Sequence, residues 1–116
     1  MEFQITEKLL PEKRAILTLS GQLNAVTAPD LKAQLKRLVK GGHIQIITDL
    51  TDVSFIDSSG LAALVSGFKV AREAGGTIRL AGLNEQARTV FKLTLLNRVF
   101  EIYPDAASAL DALSAA

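Results

Sequence analysis

The sequence predicts an α/β protein: a mixed, mostly parallel sheet of about five strands with about four helices. Two observations predict this. Strand-like and helix-like segments alternate in the order β-β-α-β-α-β-α-β-α, which calls for parallel pairing through right-handed crossovers. Two glycine pairs, Gly41-Gly42 and Gly75-Gly76, each close a helical stretch and precede a strand-like one. The 116 residues contain no linker, repeat or low-complexity segment, so residues 1–116 read as one domain.

Each element has its own signature. Phe3 and Ile5 alternate with Gln4 and Thr6, and Ala15, Leu17 and Leu19 alternate with Ile16, Thr18 and Ser20. The segment LPEKR lies between them, so the two runs read as an antiparallel hairpin with a longer loop. Gly21 ends the second strand. Thr27 is a candidate N-cap, and Pro29 is tolerated in a first helical turn. Leu31, Leu35, Leu38 and Val39 then share one helical face, with Lys36, Arg37 and Lys40 off it. HIQIITDL is nearly continuous in apolar residues, the pattern of a strand buried on both faces. TDVSFID reads as a loop. A helix follows from about Ser58 to Ala74, with Leu61, Leu64, Val65 and Phe68 as its apolar stripe. TIRLAGL is a short strand. Asn84 caps a helix holding Ala87, Val90 and Phe91, VFEIY is a last strand, and Asp105 caps a closing helix with Ala109, Leu110 and Leu113 on one side.

Composition narrows the function. The net charge is +1, with one tyrosine and no tryptophan, a poor basis for nucleic-acid binding. The absence of cysteine excludes a disulfide framework, a thiol nucleophile and a thiolate metal site. MEFQITEKLL lacks the basic and apolar regions of a signal peptide, and no apolar run is long enough to span a bilayer. The expectation is a soluble cytoplasmic protein. The single histidine, His43, reads as a solvated turn residue. Asp49 and Asp52 read as loop carboxylates rather than an acid–base pair. The glycine pairs follow helices instead of preceding them, so they are not phosphate cradles. No cofactor or metal is expected, and no enzymatic activity.

One stretch resists a bland reading. In Asp57-Ser58-Ser59-Gly60 any of the first three residues can cap the helix, but only one can be the cap. Gly60 sits in the first turn, where glycine costs about 1 kcal/mol relative to alanine. A hydroxyl exposed here would suit a phosphorylation switch. The positive end of the helix dipole and its free N–H groups tolerate a phosphate, whereas a partner docked over that end would meet new bulk and charge.

DLTDVSFIDSSGLAAL, after a buried strand, resembles the signature of the STAS family, specifically its bacterial anti-sigma-factor antagonists. The resemblance extends over nearly the whole chain, from the hairpin and GQLN to the closing helix. It implies a protein that binds an anti-sigma factor with serine kinase activity, is phosphorylated on the first serine of the motif, and is reset by a phosphatase. Carried onto this sequence, the acceptor is Ser58. Ser59 is a cap or contact, Gly60 leaves room for the partner, and Asp57 lies beside the acceptor. The loop with Gln22, Asn24 and Thr27 belongs to the partner-binding surface. Where the family commonly has Gly-Glu-Leu-Asp, this chain has Gly21-Gln22-Leu23-Asn24, so two negative charges are absent. An alternative is a STAS subunit docking on a membrane transport system. A nucleotide-binding or hydrolytic domain is a third reading, but the chain offers it neither a phosphate loop nor a catalytic constellation.

Overall fold

The computed structural model describes residues 2–114. Five strands form one sheet: β1 (Gln4–Leu10), β2 (Arg14–Leu23), β3 (Gln45–Ile56), β4 (Thr77–Ala81) and β5 (Ile102–Tyr103). Four helices accompany it: α1 (Ala28–Lys40), α2 (Ser58–Glu73), α3 (Glu85–Leu93) and α4 (Ala106–Ser114), with a 3-10 turn at Leu96–Arg98. The spatial order β1-β2-β3-β4-β5 is the chain order. β1 pairs antiparallel with β2, and every later pair is parallel.

That order dictates where the helices lie. Each crossover from β2 onward steps in the same direction, and right-handed crossovers of one direction place their helices on one face. Leu31 and Leu35 of α1, Leu61 and Leu64 of α2 and Phe91 of α3 accordingly share one core with Leu17, Leu19, Ile46 and Leu80 of the strands. Burying each such leucine contributes about 2 kcal/mol. Phe100 joins this core and meets the rings of Phe68 and Phe91 edge-on, at 4.9 and 5.8 Å between centroids. α4 alone covers the opposite face, where Ala109 packs with Ile47 and Ala81. Ile46 and Ile47 face different cores, so the middle strand is buried on both sides, as its apolar run predicts.

Several local expectations are corrected. The hairpin loop is short: Leu10 pairs with Arg14, and Glu12 and Lys13 both take left-handed backbone to close the turn. β2 does not end at Gly21 but continues to Leu23. TDVSFID is not a loop, because β3 runs through it to Ile56. The reason lies in its register against β2. Thr18 and Ser20 oppose Asp49 and Asp52, and Gly21 and Gln22 oppose Val53 and Phe55, so β3 carries an extra residue twice. Each bulge resets which face a residue occupies. Leu50, Val53 and Ile56 are therefore all buried in one core at a spacing of three, which masks the alternation of a strand. Asp49, at the first bulge, accepts the Thr51 N–H and hydroxyl at 3.1 and 2.6 Å, a structural use of that carboxylate. Val65 is 38% exposed rather than part of the α2 stripe. The last strand shrinks to Ile102–Tyr103, since Phe100 turns into the core. Asn84 and Asp105 cap α3 and α4 as expected, accepting from Ala87 N at 2.9 Å and Ser108 N at 2.7 Å. Among the described residues no helix is long and apolar enough to cross a membrane.

Candidate functional site

The site forms where β3 gives way to α2. Asp57, in extended backbone, is the N-cap of α2. Its carboxylate oxygen accepts the N–H groups of Ser59 at 2.9 Å and Gly60 at 3.1 Å. Its own N–H donates to the Leu23 carbonyl at 3.1 Å, which ties the helix start to the end of β2. Of the three residues able to cap, Asp57 does so, and Ser59 does not. Ser58 is the first helical residue and is exposed. Its hydroxyl has no hydrogen-bond partner among the described residues. Ser59 is half-buried and lines a groove of about 400 Å³ between α1 and α2, together with Ala25, Pro29, Lys32 and Ala62.

Gly60 has a packing role within the chain. A Cβ there would lie 2.7 Å from Leu23 Cγ, 2.8 Å from the Leu23 carbonyl oxygen and 2.9 Å from Ile56 Cγ1. The room that glycine leaves is filled by this chain's own β2 and β3. Gly60 is buried, and its missing side chain is used by this packing.

The β2–α1 loop lies beside this junction. Asn24 Oδ1 accepts from Val26 N at 3.0 Å and Thr27 N at 3.2 Å. Thr27 Oγ1 accepts from Asn24 N at 2.9 Å and donates to the Gln22 carbonyl at 2.8 Å. Thr27 occupies the N-cap position of α1 as expected, but in helical backbone and without a side-chain capping bond: its hydroxyl braces the loop instead. Asn24 works through its carbonyl oxygen alone in these bonds, a task an aspartate carboxylate performs equally. Gln22 is exposed and pairs across the strands with Phe55. Phe55 is 42% exposed and Val26 85% exposed, so two apolar side chains share the surface of this end with Gln22 and Ser58.

Two residues complete the site: Asn84, which the sequence marks only as a helix cap, and Gln86, which it does not mark. Asn84 Nδ2 donates to the carbonyls of Val53 and Ser54 at 3.2 and 3.1 Å. Gln86 Oε1 accepts from Ile56 N at 3.0 Å, and Gln86 Nε2 donates to Ile56 O at 2.8 Å. Asn84 carried a cap signal, whereas nothing around Gln86 marked it, because its partner lies 30 residues away.

The STAS domain model matches residues 4–109. The chain is 35% identical over 83 residues to the anti-sigma-B factor antagonist of Listeria monocytogenes, covering 72% of this chain and 73% of that protein. The crystal structure of an anti-sigma factor antagonist from Mycobacterium paratuberculosis superposes with a TM-score of 0.85 at 24% identity, over 96% of this chain and 93% of the other. The antagonist SpoIIAA in its unphosphorylated form gives 0.84 at 19% identity, over 99% and 98%. The last two likenesses carry the fold, and the sequence match carries kinship. A sheet in chain order, three helices on one face and a DSSG helix start thus have one explanation: the chain belongs to the STAS-domain family.

Proposed function

We propose that this protein is an anti-sigma factor antagonist, switched off by phosphorylation of Ser58. One observation carries the reading. Asp57 caps α2 and Gly60 is packed, while the Ser58 hydroxyl between them is exposed and unpartnered. None of the described residues bonds to it. The family supports the rest: the Listeria relative is an anti-sigma-B factor antagonist, and SpoIIAA exists in unphosphorylated and phosphorylated forms. The partner is an anti-sigma factor with ATP-dependent serine kinase activity. In its complex the γ-phosphoryl group of ATP passes to Ser58 Oγ, the hydroxyl proton is lost and ADP leaves. A phosphatase restores the hydroxyl by hydrolysis and releases inorganic phosphate.

The site explains why one modification separates the partners yet leaves the fold intact. A phosphoserine carries about −1.5 to −2 charges at neutral pH. At the first residue of α2 that charge meets the positive end of a 16-residue helix. On the partner's side it joins an end of the molecule that also exposes Val26 and Phe55, and a partner covering that end would have to desolvate it. The chain itself catalyses nothing in this scheme. The transporter-docking alternative has a likeness of fold alone behind it, to a sulfate transporter family protein from Wolinella succinogenes with a TM-score of 0.78 at 18% identity, whereas the switch has sequence kinship to an antagonist.

A pull-down from the native organism with three baits tests the proposal. The unaltered chain and Ser58→Ala are expected to capture a serine-kinase anti-sigma factor, identified by mass spectrometry, and Ser58→Asp to lose it. Equal capture by all three baits, or capture of a transport component, overturns the proposal.

A further inference from the structure

β3 is longer than the strand beside it. Its pairing with β4 ends at Asp49 and Ala81, so from Leu50 to Ile56 the outer edge of β3 has no strand partner. Backbone groups left there need other partners. The start of α3 supplies them through side chains: Asn84 binds the Val53 and Ser54 carbonyls, and Gln86 binds both the N–H and the carbonyl of Ile56. A primary amide presents a donor and an acceptor side by side without charge, which is what one residue of a neighbouring strand would present. A carboxylate cannot donate, and an ammonium cannot accept.

The pinned peptide immediately precedes the helix start. Ile56 is held by Gln86 from one side, and the next N–H, that of Asp57, is held by the Leu23 carbonyl from the other. Asp57 in turn holds Ser59 and Gly60. Accepting that Ser58 is the acceptor, we infer that Gln86 is a positioning residue for it. By fixing the Ile56 peptide, the Gln86 amide sets the direction in which Asp57 caps α2 and Ser58 leaves the surface. α3, remote from Ser58 in sequence, is thereby part of the acceptor's support.

Hydrogen exchange of single backbone amides, followed by NMR in the full chain without any partner, tests this. The variants are Gln86→Ala, which removes the amide and its stem, and Gln86→Met, which keeps a stem of similar length. In both, the Ile56 amide is expected to exchange roughly tenfold faster, the scale of one lost net hydrogen bond. The Ser59 and Gly60 amides are expected to follow by at least about threefold, as parts of one locally opening unit. Leu35 in α1 and Ile78 in β4 serve as references and should keep their rates. Faster exchange at Ile56 with Ser59 and Gly60 unmoved overturns the inference, because the clamp then ends at the strand. Wild-type behaviour of Gln86→Met overturns it too, because packing would then be the cause. A uniform rise that includes Leu35 and Ile78 reduces Gln86 to a general stabiliser. Since no partner is present, these outcomes are independent of whether Ser58→Asp loses its partner in the pull-down.

Discussion

At Gly60 a methyl group would stand 2.7 Å from Leu23 Cγ and 2.8 Å from the Leu23 carbonyl oxygen. Backbone cannot swing aside as a side-chain tip can, so the β2–α2 contact would have to open. Gly60→Ala is expected to destabilise the chain by about 1–3 kcal/mol despite the better helix propensity of alanine. A urea titration reads this as a lower midpoint with an unchanged slope. Equal or higher stability of the variant would show that the contact is soft. The sequence marked Gly60 as an anomaly, since glycine is costly in a first turn. It did not say which atoms stand opposite, because Leu23 is 37 positions earlier and only the closed sheet brings it there. For Ser58, Ser59 and Asp57 the sequence narrowed the cap to three residues. The structure selects Asp57, whose carboxylate reaches two N–H groups.

Helices and strands were largely legible as elements and less so at their ends. The β/α alternation and the apolar faces of α1, α3 and α4 are local patterns, and local patterns survive in a sequence. The far half of β3 is set by a neighbour: two bulges against β2 turn its buried period from two to three, and no window along one strand carries that. The two glycines after α2 make the same point. Both read as one helix stop. In the structure Gly75 has φ +92 and open space around it, whereas a Cβ on Gly76 would fall 2.0 Å from the Ile44 carbonyl oxygen. Gly75 therefore meets a conformational demand and Gly76 a close approach of the segments leading into β3 and β4, where Thr77 N also donates to Ile44 O at 2.9 Å. Gly75→Ala is expected to cost about 1–2 kcal/mol, the strain of a left-handed residue. Gly76→Ala is expected to cost about 3 kcal/mol or more, since backbone must move. Thermal unfolding of the two variants side by side decides it, and an equal loss would remove the distinction.

Across the whole molecule charge is nearly balanced at +1, and the end that presents Ser58 also presents Gln22, Val26 and Phe55. Long-range steering of a partner therefore has little to act on. Affinity for the captured partner is expected to change less than about threefold between roughly 0.05 and 0.5 M salt. Gln22→Glu, which adds an exposed charge, should make that dependence steeper, whereas Asn24→Asp should leave the loop's own bonds in place. Calorimetric titration at several salt concentrations checks both, and a steep dependence in the unaltered chain would contradict the expectation. The agreement of spatial and chain order among the strands has a further consequence, for synthesis. No strand has to be threaded between two already paired, so each β–α unit can dock on its predecessor as it leaves the ribosome. The second face is the exception. Ile47 and Ala81 are covered by α4, which follows all five strands in the chain, so a nascent chain keeps an apolar strip open to chaperones until α4 has left the ribosome.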